Sequence, residues 1–309
     1  MRMKLLSGHD RLRKGLFSFI AAFMFVLALP FVSNAQAARE CGPGNTLRLS
    51  SPGAAQGGLL EMTLLGNSPL NDVQIHWAGN PVPTWTVGEH TLHALLGVDL
   101  ERAPGTYELE VSAKSANGEA AGCKAAVSVR DGHFVVEKLH VAGQFVDLSP
   151  EDQQRADKES AKLHEIVAQI TPDRLWQGSF RMPLAGVHNG HNFGTRRVLN
   201  GEPRSPHTGL DMPAPAGTRV YAPQRGRVVL AENLFFSGNT IVLDHGLGVY
   251  TFYGHLQSIN VAVGDVVSVG VVIGRVGSTG RATGPHLHWG LTVNGARVNP
   301  LRIVTLGVR

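Results

Sequence analysis

Lysine is missing from residues 175–309, and nowhere does the sequence contain a dense basic tract. That half has 12 Arg against 5 Asp and Glu, a net charge of +7, whereas residues 38–174 have 11 Lys and Arg against 18 Asp and Glu, a net charge of −7. Opposite charges favour attraction between the halves, or contact of the basic half with an anionic polymer. A solvated surface without a partner is the simpler alternative. Because there is no basic tract, we predict no nucleic-acid partner.

Only one apolar run is long enough to matter for membranes. It is LFSFIAAFMFVLALPFV (16–32), which follows five basic residues and precedes the small-x-small site AQA (35–37). This order is typical of a secretory signal peptide, here cleaved after Ala37 or Ala38, and Pro30 argues against the alternative of a transmembrane anchor. We therefore predict a signal peptide over residues 1–37, no stable membrane anchor after cleavage, and a periplasmic or secreted protein.

Cysteine is scarce, with Cys41 and Cys123 as the two examples in 309 residues. Two isolated cysteines do not make a metal cluster. In an exported protein they are expected to form a disulfide with each other. Closing a loop of this length would stabilise the fold by about 4–5 kcal/mol in the chain-entropy model.

The order of segments predicts a mainly β protein in three parts. Residues 38–134 alternate short apolar runs with Gly, Pro and Asn turns, a pattern that favours a small N-terminal β-sandwich. Residues 135–177 form a connector whose clear helical stretch is 149–170, beginning at Ser149-Pro150. Residues 178–309 are again rich in short strands, which indicates an antiparallel β domain.

Histidine and carboxylate residues are spaced for metal chemistry in the C-terminal part. HTGLD contains His207 and Asp211, and HLH contains His286 and His288. Residues two apart on a strand share a face, and two imidazoles with one carboxylate make a three-ligand zinc set whose fourth position stays open. An isolated HxH or HxxxD also occurs by chance, but here both lie in one β-rich region. By contrast, His164-Glu165 begins an HExxH motif that fails, because position 168 is Ala.

Three longer segments resemble the lysostaphin-type, or LytM-like, zinc metallopeptidases over roughly residues 178–301. They are SPHTGLDMPAPAGTRVYAPQRGRVV (205–229), GNTIVLDHGLGVYTFYGHL (238–256) and VGDVVSVGVVIGRVGSTGRATGPHLHWGL (263–291). The resemblance implies a compact antiparallel β peptidase domain with a zinc groove. It implies that a zinc ion (Zn2+) is held by His207, Asp211 and His288, and that His255 and His286 are unliganded catalytic residues.

One departure from the family pattern is visible. Relatives often have a Tyr a short way before the first histidine, whereas this chain has NGEPRSP there. Arg204 is a candidate substitute.

The resemblance predicts an exported zinc-dependent endopeptidase that hydrolyses peptide cross-links of bacterial peptidoglycan, with peptidoglycan peptide stems as its partners. In a thin wall the expected bond joins D-alanine to diaminopimelate. One alternative is a non-catalytic wall-binding protein or activator of wall amidases with the same fold, and another is a zinc peptidase that acts on proteins. The N-terminal part is expected to bind the wall, to bind a regulatory partner, or to cover the groove.

Overall fold

The computed structural model of the chain describes residues 38–67, 71–114, 120–140 and 148–307. The predicted signal peptide, residues 1–37, lies outside these ranges. Neither helix in the described part of the chain has the length and apolar character needed to cross a bilayer. The described residues are mainly β, as predicted from the sequence.

Ten strands build two five-stranded sheets in the N-terminal part of the chain. They are β1 (Arg39–Glu40), β2 (Asn45–Leu49), β3 (Gly53–Ala55), β4 (Leu59–Gly66), β5 (Asn71–Trp77), β6 (Asn80–Pro81), β7 (Thr84–Val87), β8 (Thr91–Gly97), β9 (Gly105–Lys114) and β10 (Ala120–Arg130). One sheet has the order β1-β2-β4-β8-β7 and the other the order β3-β10-β9-β5-β6. Neighbouring strands are antiparallel, except that β3 runs parallel to β10.

The two sheets share one apolar core, which makes this part a β-sandwich. Along β4 the side chains of Leu60, Met62 and Leu64 alternate inward and are fully buried. Val111 and Val127 meet them from the other sheet. Each such side chain stabilises the fold by about 1.5–3 kcal/mol relative to its exposed state.

A disulfide joins Cys41 to Cys123, and this prediction from the sequence is confirmed. Cys41 follows β1 in the first sheet, whereas Cys123 lies in β10 of the second sheet. The bond therefore ties the two sheets together across a separation of 82 residues.

The middle of the chain contributes a small sheet and the long helix. These elements are β11 (Val136–Leu139), α1 (Pro150–Ala168), β12 (Arg196–Leu199) and β13 (Glu202–Pro203), with β12 between the other two strands. The hydroxyl of Ser149 accepts a hydrogen bond from the backbone N–H of Asp152, so α1 begins where the sequence predicted. Its apolar face packs on buried residues of the C-terminal sheet.

The C-terminal part is a nine-stranded sheet with one short helix. Its elements are β14 (Gly209–Pro213), β15 (Arg219–Tyr221), β16 (Gly226–Leu234), β17 (Gly238–Asp244), β18 (Val249–Ile259), β19 (Val266–Val267), β20 (Val272–Val276), β21 (His286–Val293), β22 (Ala296–Val298) and α2 (Leu301–Leu306). The main path is β14-β21-β18-β17-β16-β19, while β20 pairs with β15 and β18 and β22 pairs with β21. Every pairing is antiparallel, which confirms the predicted architecture.

A shared apolar cluster fixes the sandwich to the C-terminal sheet. Leu59, Trp85 and Leu95 of the sandwich pack in one core with Trp176 and Val293. Trp176 belongs to the segment predicted as a connector, yet its side chain is fully buried. This interior is continuous from one part to the other, so the two parts form a common core there.

A partly buried ion pair between Arg297 and Asp99 also joins the C-terminal sheet to the sandwich. The guanidinium of Arg297 in β22 donates two hydrogen bonds to Asp99, of 2.9 and 2.8 Å, and one of 2.7 Å to Glu101. The backbone N–H of Arg297 also donates to Asp99, at 2.9 Å. This contact is one concrete case of the attraction expected from the opposite charges of the two halves.

We expect Asp99→Asn to lower the free energy of unfolding at neutral pH by about 1–2 kcal/mol, because hydrogen bonds to charged groups are strong but partial exposure weakens the pair. Burial acts to raise the pKa of Asp99, and the hydrogen bonds from Arg297 outweigh it and hold the pKa below its usual value of 3.8. A depressed folded-state pKa means that the contribution is complete above about pH 4 and is lost as the pH falls through that lower pKa.

Urea unfolding of both proteins at neutral pH and in strong acid measures this difference. Asp72→Asn is the matched control, since the exposed pair of Asp72 with Lys114 contributes little. A deficit of Asp99→Asn that was equal at both pH values would contradict the assignment.

Candidate functional site

The pairing of β14 with β21 brings three of the predicted site residues together. Asp211 is the direct register partner of His288, and His207 lies just before β14. Nε2 of His207 is 2.9 Å from Nδ1 of His288 and 3.1 Å from Oδ1 of Asp211. The same Asp211 oxygen is 3.2 Å from Nδ1 of His288. Three atoms that can donate lone pairs therefore converge on one point.

Strand β21 separates its site residues from its core residues by simple alternation. His286 and His288 lie on one face and stay partly accessible, whereas Leu287 and Trp289 are fully buried on the other face. Leu287 thus points into the core. Trp289 belongs to the core as well.

The electrostatics of the cluster favour a bound cation. Burial acts to raise the pKa of Asp211, but hydrogen bonds with His207 and His288 outweigh it and hold the pKa well below its usual value. Burial lowers the pKa of His288 to about 4. At neutral pH the carboxylate is therefore charged and the His288 imidazole is neutral, so each has a lone pair to offer.

Asn192 orients two members of the cluster from behind. Its backbone carbonyl accepts a hydrogen bond of 3.0 Å from Nδ1 of His207, which leaves Nε2 of that ring unprotonated and directed at the cluster. Its side-chain amide donates to Oδ2 of Asp211 at 3.3 Å. Outer partners of this kind fix the orientation of metal ligands.

A bulge in β18 brings His255 to the same site. In the ladder between β17 and β18, Thr240 alone faces two residues, the second of which is His255. Strict alternation would place His255 on the face of Tyr253, inside the core. The extra residue has φ 59, and its ring instead lies 4.7 Å from that of His286 and 6.1 Å from that of His288, measured between centroids. A left-handed non-glycine residue costs about 1–3 kcal/mol, and such strain is concentrated at functional sites.

Backbone carbonyls also fix the tautomers of His255 and His286. Nδ1 of His255 donates to the carbonyl of Thr279 at 2.9 Å, and Nδ1 of His286 donates to the carbonyl of Gly284 at 2.8 Å. Since a carbonyl oxygen only accepts, Nδ1 carries a proton in each ring, and in the neutral form of the ring Nε2 keeps a lone pair. Nε2 of His286 is 3.5 Å from Oδ1 of Asp211, so it faces the cluster without joining its closest contacts. Burial lowers the pKa of His255, which favours its neutral form.

The donor set fits zinc. The side chains of His207, Asp211 and His288 form a group that could hold a metal ion. Two imidazole nitrogens and one carboxylate oxygen are the ligands of many catalytic zinc sites, in which a fourth tetrahedral position stays open. A zinc ion between these three atoms, which lie 2.9–3.2 Å apart, would be attracted to all three lone pairs at once.

The sequence profile of Peptidase family M23 matches residues 205–300. This range includes the five residues of the site, which are His207, Asp211, His255, His286 and His288. Residues 205–300 therefore form a peptidase family M23 domain. The M23 segment covers the strands from β14 to β22, and the predicted resemblance to the lysostaphin-type enzymes is confirmed.

One relative and two solved structures define the extent of the similarity. The peptidoglycan DD-endopeptidase ShyA of Vibrio cholerae is 36% identical over 171 residues, which are 55% of this chain and 35% of the relative. The catalytic domain of lysostaphin from Staphylococcus simulans is 33% identical over 38% of this chain and 81% of that domain, with a TM-score of 0.28. A crystal structure from Pseudomonas aeruginosa, named as a peptidase M23, is 29% identical with a TM-score of 0.57, and the match covers 81% of this chain and 94% of that one.

The coverage of these matches differs in a useful way. This chain spans about a third of the length of ShyA. The Pseudomonas aeruginosa match, at 81% of this chain, extends well beyond the M23 segment and includes part of the N-terminal β region.

Several supporting groups were not foreseen from the sequence. The structure brings His207, Asp211, His255, His286 and His288 together, whereas the roles of Asn192 and of the carbonyls in the glycine-rich loop had no local signal. That loop is VGSTGRATGP (276–285). It also holds the two histidines outside the ligand cluster. Arg204 is exposed, and its function stays a prediction.

We expect Gly209→Ala to weaken zinc binding by about 10–100-fold, the range found when the orientation of a ligand is disturbed. A Cβ at Gly209 would lie 2.6 Å from Nε2 of His288 and 2.7 Å from the carbonyl oxygen of Trp289, so the His288 ring must move. Competition with a chromogenic chelator measures the affinity.

Gly122→Ala provides the control, because its Cβ would crowd the Val111 carbonyl to 2.6 Å in the sandwich, away from the ligands. Equal zinc affinity in the two variants would show that the packing of His288 against Gly209 does not matter.

Proposed function

We propose that this chain is an exported zinc-dependent endopeptidase that hydrolyses peptide cross-links in bacterial peptidoglycan. The observation that carries the proposal is the combination of a three-atom ligand cluster with two further imidazoles whose Nε2 lone pairs are free. A protein that only bound the wall would not need both sets. The names of the relatives, among them a peptidoglycan DD-endopeptidase, support a D,D-peptide bond in the cross-link as the substrate.

His207, Asp211 and His288 would hold the zinc ion. When bound, the ion polarises the scissile carbonyl and makes a water molecule more acidic. The second oxygen of Asp211 and Nδ1 of His207 are occupied by Asn192, so neither ligand is free to turn away.

His255 and His286 would move the protons. An imidazole anchored by its Nδ1–H can accept the proton of the attacking water at Nε2. Once protonated, the same Nε2–H donates a hydrogen bond to the developing oxyanion and then passes its proton to the leaving amine. The carbonyl carbon gains the water oxygen, the C–N bond breaks, and the ring returns to its neutral state.

Residues 38–309, purified with zinc and incubated with cross-linked muropeptide dimers, should release monomers. Mass spectrometry of the products identifies the bond, since D,D-cleavage adds one water and separates the two stems at the cross-link. A zinc-loaded protein that left the dimers intact would reject the enzyme in favour of a wall-binding protein or an activator of wall amidases. Cleavage of an unrelated protein but not of muropeptides would instead assign a general zinc peptidase.

Single alanine substitutions separate the two groups of residues. We expect His207→Ala, Asp211→Ala and His288→Ala to lose bound zinc, because each removes one of three ligands. His255→Ala and His286→Ala should retain zinc and lose turnover by about 100-fold or more, the usual contribution of a positioned acid or base. Metal content and hydrolysis rate are measured on the same samples. Loss of zinc from His286→Ala would overturn its place outside the ligand set.

A further inference from the structure

The segment behind the zinc ligands, residues 191–195, is held to them by backbone hydrogen bonds. The N–H groups of His191 and Asp211 each donate to the carbonyl of the other, at 3.1 and 3.0 Å. Gly194 donates to the His207 carbonyl at 2.8 Å, and His207 donates to the Thr195 carbonyl at 2.9 Å. This backing segment therefore sets the position of two ligands, in addition to the contacts of Asn192.

The backing segment does not hold its own shape through a regular strand. Asn192 and Gly194 both have left-handed backbone conformations, with φ of 70 and 76. At Asn192, which is not a glycine, such a conformation persists where the surroundings impose it, so the groups that pack on the segment help to decide its geometry.

Within the backing segment, Phe193 is the residue that the surrounding groups contact. Its ring lies 5.9 Å from that of Phe134, edge to face, measured between centroids. It also lies directly on the backbone of Gly57, where a Cβ would approach the Phe193 ring to 2.3 Å. On the neighbouring residue, a Cβ at Gly194 would come within 2.2 Å of the Phe134 ring. At each of these two glycines, a methyl group would therefore overlap a phenylalanine ring.

The groups that clamp Phe193 belong to the sandwich and its C-terminal extension. Gly57 lies in the turn between β3 and β4, and its carbonyl accepts a 2.9 Å hydrogen bond from Asn299. Gln56 ties the same turn to the strand end that precedes Phe134, accepting at 3.1 Å from the N–H of Gly132 and donating at 2.8 Å to the Arg102 carbonyl. The turn and Phe134 therefore form one braced unit.

We propose that the N-terminal sandwich positions the zinc ligands: through Gly57 and Phe134 it clamps Phe193, and thereby fixes Asn192 against His207 and Asp211. Gly57, Phe134 and Phe193 are positioning residues, since they touch neither substrate nor metal. The inference rests on the proposed zinc site. It gives the sandwich a task that differs from wall binding and from covering the groove.

Two glycine variants with the same backbone conformation test the clamp. Gly57 has φ +71 and Gly88 has φ +67, so alanine brings similar backbone strain at either site, but a Cβ at Gly88 meets nothing within 4 Å. We expect Gly57→Ala to raise the zinc dissociation constant about 10–100-fold and Gly88→Ala to leave it unchanged. Chelator competition gives the constant, and thermal unfolding of the zinc-free proteins shows whether both are folded.

Phe134 supplies a second variant should Gly57→Ala not fold. Its side chain is half-buried, so Phe134→Ala is expected to fold, to weaken zinc binding about tenfold, and to alter the absorption spectrum of the cobalt-substituted protein. Phe134→Tyr retains the ring and should restore both properties. Wild-type zinc affinity and an unchanged cobalt spectrum in folded Phe134→Ala would overturn the proposal, as would wild-type affinity in folded Gly57→Ala.

These measurements need no substrate. Zinc binding that depends on the clamp, in a protein that does not hydrolyse muropeptides, would support the clamp and reject the peptidase. If the protein hydrolysed muropeptides and its zinc affinity did not change in the clamp variants, the peptidase would be supported and the clamp rejected.

Discussion

The convergence of three lone-pair donors on one point is the constraint around which the C-terminal sheet is organised. Like partial charges within 3.2 Å of each other repel unless a cation or a shared proton lies between them. The pairing of β14 with β21 holds the side chains together despite this repulsion, because Asp211 and His288 lie at directly opposed backbone positions. Asn192 then forms hydrogen bonds with Nδ1 of His207 and Oδ2 of Asp211, the atoms that face away from the cluster. The three atoms are thus already arranged as the proposed zinc site needs them, which would lower the entropic cost of binding.

The sandwich and the sheet share more than a surface contact. Their common core around Trp85 and Trp176 makes the interface similar to a protein interior, and the Asp99–Arg297 pair closes its edge. An arrangement held by an apolar core does not rotate freely, unlike domains joined by small polar interfaces. A rigid junction suits a positioning role, because a strained backing segment keeps its geometry when its support is fixed.

The sequence predicts the strands, the helix, the disulfide and the residues that gather at the site, because each depends on local pattern or on pair spacing. Alternation in β4 and the Ser149 cap are examples in which a few neighbouring residues decide the outcome. The bulge at His255 has no such local signal. It arises from the mismatch between β17 and β18, and only the register in which these two strands pair shows that Thr240 faces two residues. The clamp on Phe193 likewise depends on Gly57, 136 positions away in the sequence and without local meaning there.

The two histidines of HLH lie on the same face of β21, yet their surroundings differ. His288 directs Nδ1 to the cluster at 2.9 Å from His207. His286 has its Nδ1 committed to the Gly284 carbonyl, so that only Nε2 can turn inward, and that atom stops 3.5 Å from Asp211. A metal ligand must direct its lone pair at the position of the ion. A residue that carries protons must instead lie next to that position, with a lone pair that is not bound to the metal. Since His207 makes the same kind of carbonyl contact, the distances to the cluster are what support the proposal that His288 binds metal and that His286 stays available for protons.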